Sequence, residues 1–179
     1  HVFSRDDCQF GYRDSLFKQQ AGRWLVLSVR LSLSRQPGPL TQYGDIRQAL
    51  EQDGITQPTP LDVSNAVMRI RQAKLPDPAT LGNAGSFFKN PVVDARHAAR
   101  LLADAPDLPH YPQADGQVKL AAGWLIERAG WKGRRLGPAG VHDRQALVLV
   151  NHGGATGADI LALASAVQAA VWEKYAVAL

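Results

Sequence analysis

The segment GNAGSFFKNPVV, residues 82–93, places a serine hydroxyl among glycines and bulky aromatic residues, with a cation and an amide directly after them. Gly82 and Gly85 permit backbone angles that other residues rarely adopt, and they let a ligand approach the main chain closely. Ser86 in such a segment could bind a phosphate, act as a general acid, or belong to an ordinary surface turn. Local sequence alone leaves these three roles open.

Several familiar kinds of site are disfavoured because the motifs they require are missing. Ser86 has no G-x-S-x-G context and no His or Asp at a recognisable interval, which argues against a nucleophile-elbow hydrolase. GNAGSF lacks both the G-K-[ST] of a Walker loop and the dinucleotide fingerprint. The five histidines show no metal-ligand spacing, and the single cysteine, Cys8, excludes an intrachain disulfide and a cysteine-based zinc site. We therefore expect no bound metal.

Three further segments carry polar side chains in or beside predicted turns. YRDS contains Arg13, whose planar guanidinium could pair with a carboxylate or an enolate. HYPQADGQVK, residues 110–119, places Tyr111 in a loop that we expect to be exposed, and WKG places Lys132 in a turn after a helix. Taken one at a time, these segments are explained equally well as solvated polar surface.

The composition is that of a soluble globular protein with one ordinary domain or two small ones. The 179 residues are 45% hydrophobic and 20% charged, and the formal net charge is +4. Lys and Arg are scattered among acidic residues, which disfavours a nucleic-acid partner. The apolar stretch ILALASAVQAAVW is too short and too alanine-rich to span a membrane, and we recognise no signal peptide. We therefore expect no membrane association and a cytoplasmic location.

The elements that must position these residues fall into three zones. Residues 1–45 alternate apolar and polar side chains and predict an antiparallel hairpin, with strands in CQFGYRDSLF and RWLVLSVRLSLSR around the turn KQQAGR. Residues 46–78 predict two short helices. The second begins at the capping signature TPLD, residues 59–62, and ends at KLPDP.

Residues 79–179 predict a mixture of loops, strands and helices. We expect a loop, GSFFKNPVV, that enters a strand, helices over 94–106 and 118–130, a buried strand over 145–151 and a last helix capped by Thr156. Phe87 and Phe88 are expected to anchor the Ser86 segment to a core. Because strands and helices do not alternate as regular βαβ units, the sequence predicts an α+β fold with an antiparallel or mixed sheet and packed helices.

Seven segments occur together in an order that is characteristic of one family. They are YRDSLFK, QYGD, RQAKLPDP, GNAGSFFKNPVV, YPQADGQVKLAAGWLIE, KG and AGVHDRQALVLVN. In these segments the chain resembles UDP-N-acetylenolpyruvoylglucosamine reductase, the MurB enzyme of peptidoglycan synthesis, over essentially all of its length. The segments around Tyr43 and Tyr111 are similar to the type I branch of that family.

The resemblance implies a reaction and a set of site residues. A flavin takes hydride from NADPH and delivers it to the enolpyruvyl double bond of a UDP-linked sugar, so FAD and NADPH are the expected cofactors of the complete enzyme. By the same resemblance, Ser86 is the general acid that protonates the intermediate, and Arg13 stabilises its negative charge. The implied substrate-binding residues are Tyr43, Asn90, Tyr111, Lys132 and Gln145, and the implied cofactor-side residues are Lys74 and Arg71.

Two parts of the family pattern have no counterpart here, namely the N-terminal flavin-binding domain and the E-P-E-V-R-F stretch with its catalytic glutamate. We therefore expect a C-terminal fragment, with residues 1–75 as a remnant of the second FAD-binding subdomain and residues 76–179 as the substrate-binding domain. The fragment should be inactive, monomeric and without tightly bound cofactor. The alternative is a module that binds a UDP-sugar or another nucleotide diphosphate without catalysis.

Overall fold

The computed structural model describes residues 1–35, 38–42 and 44–179. The chain divides into two compact units, His1–Gly38 and Pro39–Leu179. The division of the sequence into a remnant over 1–75 and a substrate-binding domain over 76–179 stays a prediction.

The N-terminal unit is organised by aromatic side chains around one short helix. This helix, α1, spans Leu16–Gln19. The ring of Phe3 meets Phe17 and Trp24 edge-on, with ring centroids 5.3 and 4.9 Å apart. Such edge-to-face pairs stabilise a small cluster beyond the area that they bury.

The hairpin predicted for residues 1–45 is wrong. Among the described residues of this range the structure has no strand, because α1 occupies the end of the predicted first strand and the turn that follows it. An isolated two-stranded hairpin is also marginal in water. Residues 24–33 are left with exposed apolar side chains at every second position. They are Leu25 (84% exposed), Leu27 (87%), Val29 (74%), Leu31 (73%) and Leu33 (83%).

Two helices open the second unit, as predicted. Helix α2 spans Ile46–Gln52 and helix α3 spans Pro60–Lys74. The predicted capping box of α3 is confirmed: the Thr59 hydroxyl accepts from the Asp62 amide, and Asp62 Oδ2 accepts from the Thr59 amide at 2.8 Å. The hydrogen bonds from Thr59 hold the pKa of Asp62 below its ordinary value. A guanidinium–carboxylate pair, Arg69 with Asp53, links the two helices.

In the part of the chain that the structure describes, seven short strands form two antiparallel sheets. The strands are β1 (Gly82–Ser86), β2 (Val92–Val93), β3 (His110–Pro112), β4 (Val118–Leu120), β5 (Arg135–Leu136), β6 (Ala139–Val141) and β7 (Val148–Asn151). The larger sheet has the order β1-β7-β6-β5, and the smaller sheet has the order β2-β4-β3. Both sheets lie within 39–179, so this unit carries the strand content of the described chain.

Three helices complete this unit, and two of them begin at capped residues. Helix α4 spans Ala95–Asp104, α5 spans Ala122–Arg128 and α6 spans Gly157–Tyr175. Asp94 caps α4 by accepting from the His97 amide at 2.8 Å, and this bond lowers the pKa of Asp94. Thr156 begins α6 with a second capping box, as predicted. One face of α6 is buried over the larger sheet through Leu163, Val167 and Val171.

The buried core confirms the predicted α+β class. It joins both sheets to α5 and α6 through Leu120, Leu125, Ile126, Val141, Leu149, Leu163, Val167 and Val171, among others. Within the described residues, no helix is both long and apolar enough to cross a membrane. The same residues contain no group of three or more His, Cys, Asp or Glu side chains arranged to hold a metal ion.

Two predicted boundaries in this region are wrong. The helix predicted over 118–130 begins only at Ala122, because residues 118–120 form β4 and pair with strands on both sides. The strand predicted over 145–151 begins only at Val148, because the Val148 amide donates to the carbonyl of Gln145 and closes a turn. In both cases backbone pairing decides the boundary, whereas apolar spacing alone does not show it.

Candidate functional site

Ser86 lies at the end of β1, where the strand leaves its regular pairing. It is paired with Val148 of β7, and a bulge separates it from the Asn83 pair. Gly85 has a φ of +62°, in the left-handed region that favours glycine, and its amide donates to Asn83 Oδ1 at 3.1 Å. The predicted loop is therefore an irregular strand, and Ser86 is exposed at its end, as are the other residues of β1.

The two aromatic residues after Ser86 have different environments. Phe88 is 4% exposed and belongs to the core, whereas Phe87 is 36% exposed and meets Phe88 edge-on at 5.3 Å. The Phe87 amide donates to the carbonyl of Leu147 at 2.8 Å. The predicted anchor is thus provided by the Phe88 side chain together with the backbone of Phe87.

Asn90 forms a hydrogen bond with the first residue of α5. Its Oδ1 accepts from the amide of Ala122 at 3.0 Å, and the residue is partly exposed. Ala122 itself is 0% exposed, so this side chain supplies an acceptor to an amide that water cannot reach. The other end of the Asn90 side chain, the Nδ2 group, is a donor and gives this position the capacity to bind an anionic or carbonyl ligand.

Gln145 lies beside the same end of α5. A methyl group placed on Gly123 would lie 3.7 Å from Gln145 Oε1 and 3.6 Å from Cγ of Leu147. Gly123 directly follows Ala122, the residue whose amide Asn90 holds. The structure therefore brings Asn90 and Gln145 to one end of α5, and the β1–β7 pairing places Ser86 opposite Val148, three residues beyond Gln145.

Tyr111 stands on the outer face of the smaller sheet. It pairs with Lys119 of β4, which pairs in turn with Val92 of β2, two residues after Asn90. The ammonium of Lys119 lies 5.6 Å from the centroid of the Tyr111 ring, and Tyr111 is 50% exposed. At this distance the cation is attracted by the ring face. The segment predicted as a loop is therefore a hairpin that presents Tyr111 and Lys119 side by side.

Lys132 follows the opposite end of α5. The helix ends before Gly130, whose φ of +81° breaks it, and Lys132 Nζ lies 3.0 Å from Glu127 Oε2. A seven-residue helix is about 10 Å long, so about one length of α5 separates Lys132 from the end that holds Asn90 and Gln145. The predicted lysine is placed in a turn, as expected from the sequence, and it is paired with a carboxylate.

Lys74 and Arg71 lie on the last turn of α3, and both are exposed. The Lys74 ammonium is paired with Asp45. The carbonyl of Ala73, next to Lys74, accepts from Arg144 Nη1 at 2.9 Å. This bond connects the end of α3 to the turn that carries Gln145.

Two predicted site residues, Arg13 and Tyr43, fall outside the described part of the unit 39–179. Arg13 belongs to the unit His1–Gly38, where it is exposed and has a φ of +56°. The left-handed region costs a non-glycine residue roughly 1–2 kcal/mol, and functional sites often hold residues in such conformations. Tyr43 lies outside the described residues.

Sequence patterns did not indicate three residues that make contacts near the site, namely Lys119, His142 and Arg144. The alternation of Val118, Lys119 and Leu120 is a strand signal that could have placed Lys119 on the outer face with Tyr111. No local pattern could have linked Arg144 to the carbonyl of Ala73, because 71 residues separate them.

Comparison with known proteins gives a family for this arrangement. Residues 77–179 match the model of the MurB C-terminal domain, described as UDP-N-acetylenolpyruvoylglucosamine reductase, C-terminal domain. This range contains Ser86, Asn90, Tyr111, Lys132 and Gln145.

Similar proteins extend the match over nearly the whole chain. The UDP-N-acetylenolpyruvoylglucosamine reductase of Pseudomonas aeruginosa is 61% identical over 177 residues, which are 99% of this chain and 52% of that protein. The one from Chromobacterium violaceum is 65% identical over 179 residues, again 99% and 52% of the two chains. The chain thus spans about half the length of the curated relatives it matches.

A solved structure shares the fold. The crystal structure of UDP-N-acetylenolpyruvylglucosamine reductase (MurB) from Thermus caldophilus superposes with a TM-score of 0.54 and 24% identity, over 99% of this chain and 46% of that one. The family model, the two bacterial relatives and this common fold agree with the resemblance seen in the sequence motifs. The chain therefore belongs to the UDP-N-acetylenolpyruvoylglucosamine reductase family, and its residues 77–179 match the family's C-terminal domain.

Proposed function

We propose that this chain belongs to a reductase that converts UDP-N-acetylglucosamine enolpyruvate to UDP-N-acetylmuramate with NADPH, in peptidoglycan synthesis. In this proposal residues 76–179 are its substrate-binding domain and residues 1–75 are part of its second FAD-binding subdomain. The observation that carries this proposal is the convergence of Asn90 and Gln145 on one end of α5, beside the bulged strand that presents Ser86. Family membership gives the substrate class. We place this activity in the cytoplasm.

Ser86 is proposed as the group that protonates the intermediate. A serine hydroxyl is a weak acid, but a carbanion or enolate is a strong base, and a hydroxyl held at the reacting carbon can transfer its proton efficiently. The structure suits this role, since Ser86 is exposed while its neighbours are fixed: Phe88 is buried in the core and the Phe87 amide is bonded to Leu147.

The UDP-sugar would be held along α5. Asn90 and Gln145 offer amide donors and acceptors at its start, and Lys132 offers a cation beyond its end. Lys132 would exchange Glu127 for the diphosphate, which costs little because exposed ion pairs contribute only about 0–1 kcal/mol. Tyr111 would add its hydroxyl and ring from the neighbouring sheet. Tyr43 and Arg13 are proposed as further contacts to the substrate and the developing charge.

The end of α3 would serve the cofactor side of the site. Lys74 and Arg71 are exposed cations on one turn of α3, a chemistry that fits the phosphate groups of NADPH. FAD and NADPH supply the hydride when they are bound. The residues of this chain bind and orient the sugar nucleotide and provide a proton at Ser86 Oγ.

Binding of the sugar nucleotide to the purified chain tests the proposal. Calorimetric titration with UDP-N-acetylglucosamine enolpyruvate should show binding, and amide chemical-shift changes should map to the residues around α5. Lys132→Ala should weaken binding by about ten-fold or more, as expected for a charge-assisted bond to a phosphate. Arg96→Ala, which removes an exposed cation from α4, is the matched control and should bind normally.

Three results would count against the proposal. Binding that is insensitive to Lys132→Ala but lost in the Arg96→Ala control would place the ligand elsewhere. A folded chain that does not bind at millimolar ligand would overturn the assignment of the substrate to this unit. Tight binding of nucleotide diphosphates without preference for the enolpyruvyl sugar would favour the non-catalytic binding module.

A further inference from the structure

The turn between β6 and β7 is built around a buried histidine. His142 is 5% exposed, and its backbone amide donates to the carbonyl of Val148 at 2.9 Å. Its ring Nδ1 accepts from two amides of the turn, Arg144 N at 3.3 Å and Gln145 N at 3.2 Å. An Nδ1 that accepts hydrogen bonds places the proton of the neutral ring on Nε2, which lies 3.4 Å from Asp143 Oδ1.

The same turn reaches the end of α3 through Arg144. Its Nη1 donates to the carbonyl of Ala73 at 2.9 Å, and the carbonyls of a helix's last turn have no partner within the helix. Lys74, the next residue, is the last residue of α3. One four-residue turn therefore fixes the backbone of Gln145 through His142 and the helix end that carries Lys74 through Arg144.

We propose that His142 and Arg144 are positioning residues that hold the turn carrying Gln145 in one fixed geometry for the bound sugar nucleotide, His142 from within the turn and Arg144 by anchoring it to the end of α3. This inference rests on the proposed function, and neither residue is assigned a contact with the ligand. His142 acts through its Nδ1 acceptor and Arg144 through its bond to Ala73. Without them, the turn that carries Gln145 would move independently of the end of α3, and binding of the sugar nucleotide would have to order it.

The residue types fit this role. The imidazole of His142 is long enough to accept from the amides two and three residues later in the chain while its ring stays buried. An asparagine side chain can accept from amides at the same sequence spacing. His142→Asn should therefore retain part of the function that His142→Ala loses. For Arg144, the alanine variant removes the bond to Ala73 and leaves the turn's own hydrogen bonds in place.

Amide hydrogen exchange tests the mechanical part of the inference without any ligand. In His142→Ala the amides of Arg144 and Gln145 should exchange at least about five-fold faster, because they lose their acceptor. In Arg144→Ala the amide of Leu75, which donates to Arg71 at the end of α3, should exchange faster by a similar factor. His97→Ala removes another histidine that bonds a backbone carbonyl, that of Tyr175, and should leave both regions unchanged. Unchanged exchange in both test variants would overturn the inference.

Calorimetry with UDP-N-acetylglucosamine enolpyruvate tests its consequence for binding. His142→Ala and Arg144→Ala should each weaken binding about ten-fold, His142→Asn should recover part of the loss, and His97→Ala should bind normally. Normal binding by both alanine variants would refute the positioning role even if exchange changes. If the unaltered chain does not bind, the proposed function fails and the role in binding fails with it, while the exchange data still report whether the turn couples the two segments. Because Arg144 is on the surface, its variant keeps the test decisive if His142→Ala does not fold.

Discussion

Asn90 serves both the fold and the proposed site, and two substitutions separate these roles. Asn90→Ala removes the acceptor of the Ala122 amide, which is 3.0 Å away and belongs to a residue that is 0% exposed. A buried donor left without a partner costs about 1–3 kcal/mol. We therefore expect the free energy of unfolding to fall by about 1–2 kcal/mol. For a chain of this size that is a decrease in Tm of roughly 2–8 °C.

Asn90→Asp keeps an oxygen acceptor for Ala122 but replaces the Nδ2 donor by a negative charge. The urea midpoint of this variant should be close to that of the unaltered protein. Its binding of the UDP-sugar should be at least about ten-fold weaker, because a carboxylate repels a diphosphate. Asn83→Ala is the stability control, since the bond from Gly85 to Asn83 is exposed and water can replace it. Equal destabilisation by Asn90→Asp and Asn90→Ala, or normal binding by Asn90→Asp, would refute the reasoning.

Three further predictions concern the rest of the chain. A purified polypeptide of residues 1–179 should show no stoichiometric flavin absorbance, since it spans about half the length of its relatives; a yellow, flavin-loaded polypeptide would be contrary to this expectation. His152 is exposed overall, but its ring packs against Gly140, and this desolvation together with the charge of Arg135 lowers its pKa below the ordinary value. The neutral form of His152 is therefore favoured in the folded state. The small stability that this residue contributes is present at pH values above the ordinary histidine pKa, and it is lost as the pH falls from there toward the pKa that His152 has in the folded protein. In an NMR titration Arg135→Ala should raise the pKa of His152 only partway, because the desolvation remains. Lys substitutions at Leu27 and Leu31 should raise the solubility of the chain without changing the Tm of the 39–179 unit, since both side chains are more than two-thirds exposed at 87% and 73%; unchanged solubility or a lower Tm would contradict this expectation.

Local signals in the sequence were enough to predict several elements. The capping boxes at Thr59 and Thr156 involve residues three positions apart, and they form as their sequence signatures indicate. The Asp94 cap and the buried strand ending at Asn151 were also predicted, because a short apolar run between turn residues is itself a strand signal.

Elements that depend on a distant partner could not be predicted in the same way. The alternating residues 24–33 have the pattern of a strand, but a strand also needs a hydrogen-bonded neighbour, and the described part of this unit forms a helix and turns instead. Residues 118–120 read as the start of a helix until their pairing with β2 and β3 is known. The contact of Arg144 with Ala73 joins residues far apart in the chain, and so does the contact of Asn90 with Ala122.

In the candidate site too, the sequence indicated individual residues but not the contacts between distant parts of the chain. Family resemblance indicated Asn90, Lys132 and Gln145, but not that α5 separates the lysine from the two amides. It also did not indicate that the position of Gln145 depends on His142 and Arg144, whose roles follow from hydrogen bonds within one turn and to a neighbouring helix.

The role of Ser86 is tested most directly in a chimera in which residues 1–179 replace the matching half of the Pseudomonas aeruginosa relative. In a stopped-flow instrument, NADPH should bleach the flavin band at the same rate in the chimera and in its Ser86→Ala variant. The return of the band on addition of UDP-N-acetylglucosamine enolpyruvate should be slower in the alanine variant by about two to four orders of magnitude. Ser86→Cys, which keeps a transferable proton, should recover part of that rate. An alanine variant whose flavin band returns as fast as that of the unaltered chimera would contradict the assignment of Ser86 as the proton donor.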